Sequence, residues 1–563
     1  MRADTVIKGG TVVDGTGAPA RMADVALCDG AIVAVAPDLD GRVVVDASSH
    51  VVSPGFIDIH THYDAQVFWD PALTPSCFHG VTTVITGNCG FSIAPTRVEH
   101  RDLIARTLEN VEDMNPASFE AGLPWDFVTF PEYLASVKRH GALLNFGTYL
   151  GHSPLRLFVM GAAAYERAAT AEEVAEMCRV LREAMEAGAM GFSTSFSVSH
   201  NGADGKPVPS RFADRPEFEA LLDVMRQVGR GVVALVAGEQ CTHEDLYRLQ
   251  PQVGIPFTYG ALMSMPSGDH RRQIDLHRAG WAAGAEVWPQ VSPRPLVFGF
   301  SMAHPFPFGP NPAFADLMTS SLANRRAAYT DPAWRQQAVT GANEQVIMGP
   351  RWETFTIAES VGHAELVGAS LSDLAVQQGQ HPLEVLFDLA LDEADLGLRV
   401  QCTVCNDDPD EVDRLLREPH CALGISDAGA HLDQLCDAPQ ATDFLGNWVR
   451  GRNVMSLEEA VRRLTGAQAA LFGLDDRGTL LVGQAADIVV FDPETIAPGP
   501  TRRLRDFPGD AERLSAPAPE GIHSVFVNGV RIAGSPVAGE EASSELPGQL
   551  VRPAVRRPHA RVS

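Results

Sequence analysis

The chain has 563 residues, past the size at which one hydrophobic core stops growing, so a large domain with a smaller one attached is the expected organisation. Its 45% apolar and 20% charged residues exclude wholesale disorder, and its net charge of -27 excludes a general affinity for nucleic acid or anionic membrane, both of which such a surface repels. No stretch comes near the ~20 uninterrupted apolar residues of a membrane span. Met1-Arg2-Ala3-Asp4-Thr5 runs into a short alternating strand without a signal-type apolar block, so a cytoplasmic protein is expected. Nine scattered cysteines make no disulfide framework.

From the N-terminus the sequence predicts short strands at Thr5–Lys8, Thr11–Asp14, Val25–Cys28, Ala31–Val35 and Val43–Val45. Gly9-Gly10, Asp29-Gly30 and Asp40-Gly41 supply the turn residues that tolerate positive φ. The pattern returns at Ala486–Phe491 and Ser524–Ile532. Segments 1–53 and 476–537 are therefore expected to form one β-sandwich built from both termini. Between them, over 54–475, apolar strand candidates alternate with helical stretches, the signature of a parallel sheet with crossover helices. They are Phe56–His62, Val81–Asn88, Leu144–His152, Met190–Ser195, Val232–Glu239, Pro256–Leu262, Glu286–Pro293 and Ala422–Asp427. Eight parallel units point to an α/β fold with a (β/α)8, or TIM, barrel. The interval 295–420, with its Pro-rich and aromatic run from His304 to Pro310, reads either as an insertion at the catalytic face or as a peripheral helical pack. Cys402-Thr403-Val404-Cys405 has no second pair to complete a zinc knuckle and is read as structural. The tail 538–563, rich in Pro and Arg, reads as a flexible arm or a subunit clasp.

His60-Thr61-His62 closes the first apolar strand. Residues two apart on a strand share a side, so both imidazoles aim at one point beyond the strand end, where a barrel builds its active site. The second strand ends in Gly87-Asn88-Cys89-Gly90, whose glycines permit a tight turn and which offers a thiolate; the eighth ends in Ser426-Asp427, which offers a carboxylate. His60, His62, Cys89 and Asp427 are ligands of the types zinc takes, and Asp427 is placed to accept a proton from an activated water and return it to a leaving group. The arrangement points to metal-assisted hydrolysis.

The head Val6–Gly17, the HxH strand and the closing Gly483–Asp492 resemble the amidohydrolase superfamily, and Gly87-Asn88-Cys89-Gly90 with Leu150-Gly151-His152 narrows the resemblance to the N-acyl-D-amino-acid deacylase (D-aminoacylase) family. It extends over about residues 5 to 550. It implies a distorted barrel with a β-sandwich, zinc, and hydrolysis of an N-acyl group from a D-amino acid. The paired histidines and the metal-binding aspartate of that family match His60, His62 and Asp427, its bridging cysteine matches Cys89, and His152 matches a histidine near the third strand end, which places it among substrate-binding candidates. The chain departs from the family at the ends of strands five and six, Leu235–Glu239 and Thr258–Leu262, which contain no histidine. One metal ion is therefore expected, with Glu239 as a replacement ligand if a second binds.

Further pocket candidates are Ser195 and His200 after strand four, Arg294 after strand seven, which either forks onto a substrate carboxylate or is a surface cation, and His304 and His431, which either line the pocket or satisfy loop backbones. The expected partner is a small acylated amine, and a homo-oligomer is open. A cyclic-amide hydrolase or deaminase on the same scaffold, and a non-catalytic scaffold, are the rival readings.

Overall fold

The computed structural model describes residues 2–318, 320–344, 349–534 and 545–555. In chain order the strands are β1 (Ala3–Val12), β2 (Arg21–Cys28), β3 (Ala31–Ala36), β4 (Gly41–Asp46), β5 (Val51–Pro54), β6 (Phe56–Asp58), β7 (Val81–Thr86), β8 (Asn145–Thr148), β9 (Leu150–Gly151), β10 (Gly191–Ser195), β11 (Val232–Val236), β12 (Phe257–Tyr259), β13 (Val287–Val291), β14 (Leu296–Ser301), β15 (Thr356–Glu359), β16 (Arg399–Cys405), β17 (Ala422–Leu423), β18 (Ile488–Phe491), β19 (Arg502–Phe507), β20 (Ala511–Ser515), β21 (Ile522–Val527) and β22 (Val530–Gly534).

The chain divides into two compact units, one formed by 1–294, 410–432 and 436–563, the other by 295–409 and 433–435. In the first, strands from both ends of the chain join in one hydrogen-bonded sheet of eight, ordered β22-β21-β18-β5-β1-β2-β3 with β4 on β1. Strand β1 serves two parallel partners, β4 along Ala3–Lys8 and β5 at Thr11 and Val12, and its register with β2 shifts between Ile7 and Gly10. Glycine is required at that shift: Gly9 has φ +73°, and a Cβ on Gly10 would stand 2.5 Å from Val52 Cγ2. The alternating burial of β4 turns Val43 and Val45 inward, where they meet Ile7, Val25, Ile32, Val52, Ile488, Val490 and Phe526.

The remaining strands of the first unit's interior are parallel. They form two arcs, β6-β7-β8 and β9-β10-β11-β12-β13-β17. Strands β8 and β9 are two parts of one course interrupted at Tyr149, and beyond the ends of β6 and β17 a parallel bridge joins Thr61 to Ala428. Strands β7 and β10 are buried at every position, as expected of strands covered on both faces. The covering helices are amphipathic. In Ala171–Ala187 the stripe Met177, Val180, Leu181, Ala184 and Met185 is buried, Thr170 and Glu173 form a capping box at the start, and Gly188 ends the helix at φ +121°.

The hairpin β19–β20 had no counterpart among the expected strands; the Leu514 N–H donates to the Leu432 carbonyl at 2.6 Å. Of the two readings of the tail, the flexible arm is corrected over the part that is described. Main-chain bonds run from Gly548 to the Ala142 carbonyl (2.9 Å), from Val551 to Phe146 (3.0 Å) and from Ala554 to Gly473 (2.8 Å), and Val551 is buried. The rest of 538–563 lies outside the described residues.

The second unit has its own core. A sheet ordered β14-β16-β15 packs with the helices Leu322–Thr330, Leu371–Gln378 and Pro382–Asp392 around Phe300, Phe308, Phe314, Tyr329, Phe355 and Phe387. The CxxC pair lies on β16; both thiols are buried, and burial pushes each up to about 12, so they act as small apolar side chains. Among the described residues no helix is long and apolar enough to cross a membrane.

Candidate functional site

His60 and His62 follow β6 after Ile59 and both are buried, with ring centroids 5.6 Å apart. Thr61 between them turns the other way: its N–H and its hydroxyl both donate to the Ile85 carbonyl, at 3.1 and 3.0 Å. His62 N–H donates to the Ala428 carbonyl at 2.7 Å, which ties the pair to the segment carrying Asp427. His60 Nδ1 lies 2.6 Å from Gln290 Oε1, while Gln290 Nε2 donates to Thr258 Oγ1 at 3.1 Å. The amide orientation therefore puts the His60 proton on Nδ1 and leaves Nε2 as the lone-pair nitrogen.

Cys89 sits on a turn whose Gly87, Cys89 and Gly90 have φ of +78°, +56° and +79°. No side chain fits at Gly90, where a Cβ would be 2.9 Å from Thr194 Cα. The turn is held from three sides: Asp64 accepts the Gly87 N–H (3.0 Å), Ser193 Oγ donates to the Gly87 carbonyl (2.5 Å), and Asn88 Nδ2 donates to the Thr61 carbonyl (3.3 Å). Cys89 Sγ is thereby brought to 3.4 Å from His60 Nε2. Asp427, at φ +45°, places Oδ1 3.1 Å from His60 Nε2 and 3.6 Å from His62 Nε2. Its neighbour Ser426 donates to the His60 carbonyl at 2.8 Å.

The electrostatics follow from this convergence. Burial disfavours the His60 imidazolium, but the Cys89 sulfur and the Asp427 carboxylate outweigh it and lift His60 well above its ordinary range. Burial would raise Asp427, but the charge and hydrogen bond of His60, with the His62 ring close by, hold it well below the usual carboxylate range. Burial, with the charges of His60 and His431 adding to it, pushes His62 down to about 4 against Asp427, and burial, with Glu112 and Asp427 adding to it, pushes Cys89 up to about 11 against His60. His62 Nε2 is buried without a hydrogen-bond partner, although it faces a carboxylate oxygen. Two imidazoles, a thiol and a carboxylate converge there, and a divalent cation that displaces the protons of His60 and Cys89 would answer all four at once. The ligand atoms of His60, His62 and Cys89 lie within 4.8 Å of one another, and Asp427 adds an oxygen, so the donor set fits a divalent ion of zinc's kind.

The other expected residues separate into two groups. Ser195 Oγ and His200 Nδ1 are 2.7 Å apart, and the His200 ring lies 5.4 Å from that of Phe91. Burial, with the charges of His431, His62 and Arg211 adding to it, pushes His200 down to about 4 against Asp427. His431 Nε2 lies 3.5 Å from Glu112 Oε2. By contrast, His152 is wholly buried with Nδ1 2.8 Å from Thr194 Oγ1 and Nε2 2.8 Å from Glu217 Oε1, which leaves no ring nitrogen for a substrate. Arg156 pairs with the other oxygen of Glu217. The Arg294 guanidinium donates to Asp437 Oδ1 at 2.6 Å and lies 3.5 Å from Asp443 Oδ1, so two carboxylates of the chain already engage it. His304 belongs to the second unit, where its N–H closes a turn on the Ser301 carbonyl. Glu239 is exposed, and Thr258 at the sixth strand donates to the Trp288 carbonyl.

Sequence reasoning missed Gln290, Asp64 and Glu112. For Glu112 a signal exists: Ile104, Leu108 and Glu112 recur every four residues on the buried stripe of helix Arg101–Glu112, so a carboxylate stands where an apolar side chain is expected.

The amidohydrolase family model matches residues 43–277 and 325–533. A D-aminoacylase of Alcaligenes xylosoxydans xylosoxydans is 30% identical over 545 residues, 94% of each chain. An N-acyl-D-aspartate deacylase of the same organism is 29% identical over 559 residues, 98% of this chain and 95% of the relative. The crystal structure of an N-acyl-D-glutamate deacylase from Bordetella bronchiseptica, complexed with zinc and a phosphonate inhibitor, matches with a TM-score of 0.68 at 28% identity, over 98% of this chain and 100% of that one. Matched over most of its length, and with imidazoles, a thiol and a carboxylate converging where parallel strands end, the chain belongs to the amidohydrolase family and is a hydrolase of carbon–nitrogen bonds other than peptide bonds.

Proposed function

We propose that His60, His62, Cys89 and Asp427 hold one divalent ion, zinc first, and that the enzyme hydrolyses the amide bond of an N-acylated small amine, with an N-acyl-D-amino acid as the leading substrate. The two strand arcs read as a distorted (β/α)8 barrel, and the sheet from both termini as its β-sandwich. The observation that carries the reading is the buried, unpartnered His62 Nε2 facing Asp427 Oδ1 beside His60 Nε2 and Cys89 Sγ. The similarity to D-aminoacylase and to the two deacylases named above supports the substrate class.

A divalent ion in this set supplies Lewis acidity toward the scissile carbonyl and toward water. Asp427, held ionised, takes the proton of the attacking water as general base and delivers it to the leaving nitrogen. His200 and His431 stand where they can meet the acyl or amine group, and Ser195 orients His200. Arg294 can bind a substrate carboxylate only by sharing with Asp437 and Asp443, so its contribution to carboxylate recognition is small.

The test is metal content per chain by plasma mass spectrometry beside a His60→Ala/His62→Ala double variant, with a substrate panel of N-acyl-D-amino acids, their L forms and cyclic amides. About one ion, lost in the variant, together with release of D-amino acids is the expected result. Turnover confined to cyclic amides would replace the substrate assignment, and no ion after zinc is supplied would overturn the mechanism.

A further inference from the structure

Behind His62 the helix Arg101–Glu112 ends in a buried carboxylate that the chemistry above does not use. Its two oxygens are shared out: Oε1 is 3.5 Å from His62 Nδ1 and Oε2 is 3.5 Å from His431 Nε2. Its main chain joins in, since the Glu112 carbonyl accepts the His431 N–H at 2.5 Å. One residue thus touches both ligand-bearing segments, the one with His60 and His62 and the one that leads from Asp427 to His431. A carboxyl group removed from water is costly unless its oxygens are answered, so its place on a largely apolar stripe calls for a role.

Imidazole chemistry supplies that role. A ring nitrogen can donate its lone pair only if the other nitrogen carries the proton, and the acceptor behind the ring decides which is which. For His60 that acceptor is the neutral Gln290 amide. For His62 the group behind Nδ1 is the Glu112 carboxyl, whose Oε1 faces that nitrogen and can accept its proton, leaving Nε2 as the lone-pair nitrogen. We propose that Glu112 is a positioning residue, which keeps His62 in the Nδ1–H tautomer with Nε2 turned inward and, through His431, braces the loop that carries Asp427. The proposal rests on the metal reading given above.

The experiment is zinc affinity of the full-length protein, by competition with a chromophoric chelator, for the wild type, Glu112→Ala, Glu112→Gln and His431→Ala, each also melted metal-free. Glu112→Ala is expected to bind zinc 10- to 100-fold more weakly, the range found when such outer partners are removed. Glu112→Gln keeps an accepting oxygen and is expected to lose less, and His431→Ala, which removes only the second arm, less than Glu112→Ala. A Glu112→Ala protein that binds zinc as the wild type does would overturn the proposal, and so would one that merely melts lower with affinity unchanged. If Glu112→Ala does not fold, Glu112→Gln decides, a fall in affinity supporting the brace and an unchanged value overturning it. A wild type that binds no zinc would instead overturn the metal reading, which keeps the two failures distinct.

Discussion

On the proposed mechanism Asp427 is the residue on which the chemistry turns, because its Oδ1 faces both imidazoles. Replacing it by asparagine keeps the shape and removes the proton acceptor. Asp427→Asn is expected to lower kcat by about 10²- to 10⁴-fold, the usual worth of general base catalysis, and a stopped assay on the best panel substrate measures it. The convergence of His60 and His62 was legible because residues two apart at a strand end share a side, and that of Cys89 and Asp427 because polar residues next to glycines or at the ends closed other strands. Glu112 and Gln290 were not, since each acts through a contact spanning many residues of chain, 50 from His62 and 230 from His60 by number. Arg294 was legible as a cation near the site, but the carboxylates that engage it, Asp437 and Asp443, come from a later segment whose approach no spacing announces.

At the scale of elements, the turn after β7 and the helix pair behind β9 make separate demands. Gly90→Ala would put a methyl against the Thr194 backbone at a positive φ, so it is expected to cost about 1–3 kcal/mol and to reduce bound metal by displacing Cys89, which melting and metal analysis together would register. Behind β9, Glu217 of helix Arg215–Val228 joins His152 and Arg156 of helix His152–Met160. Burial would raise Glu217, but His152 and Arg156 hold it down to about 2 from an ordinary 4.5. A carboxyl depressed by folding stabilises the fold fully above the unfolded value of 4.5, and that contribution is lost as pH falls from there through 2. It is of order 3 kcal/mol. Denaturation followed by circular dichroism should therefore steepen between pH 4.5 and 2, and Glu217→Gln should weaken the neutral-pH protein while flattening that acid slope. The apolar run of β11 was readable as a strand covered by its neighbours, whereas β7 and β10 are buried at every position with three hydroxyl side chains each. The hairpin β19–β20 was hidden by its charged composition, Arg502-Arg503-Leu504-Arg505, which reads as loop until Phe507 and Ala511 are seen to be buried.

Over the whole molecule, the two chain ends meet in one sheet, and the chain then continues past β22 to run along the parallel strands. The return of short strands near the C-terminus foretold the first; nothing in a Pro- and Arg-rich segment foretold the second, because its bonds are made by main chain. Phe146 of β8 receives it on both sides: its N–H donates to the Gln549 carbonyl at 2.9 Å and its carbonyl accepts from Val551. Asn145 Oδ1 accepts the Gln549 N–H, and Asn528 Nδ2 reaches both Asn145 and the Pro547 carbonyl, so the segment is stitched to the sheet as well as to β8. At Gly548 the approach is so close that a Cβ would lie 2.1 Å from the Leu144 carbonyl oxygen. The segment therefore acts as an added edge to β8, and covering an open strand edge also removes a template for association. Ending the chain at residue 544 is expected to lower the melting temperature, by about 1 °C for each kcal/mol of contact removed from a chain this long. Gly548→Val in the full chain should lower it in the same direction, since the segment must lift away from Leu144 to admit the side chain. Sedimentation separates this role from a clasp between subunits: a particle that loses only the mass of the segment on truncation fits an edge made within one chain, whereas dissociation into smaller particles would show that the segment reaches a second copy.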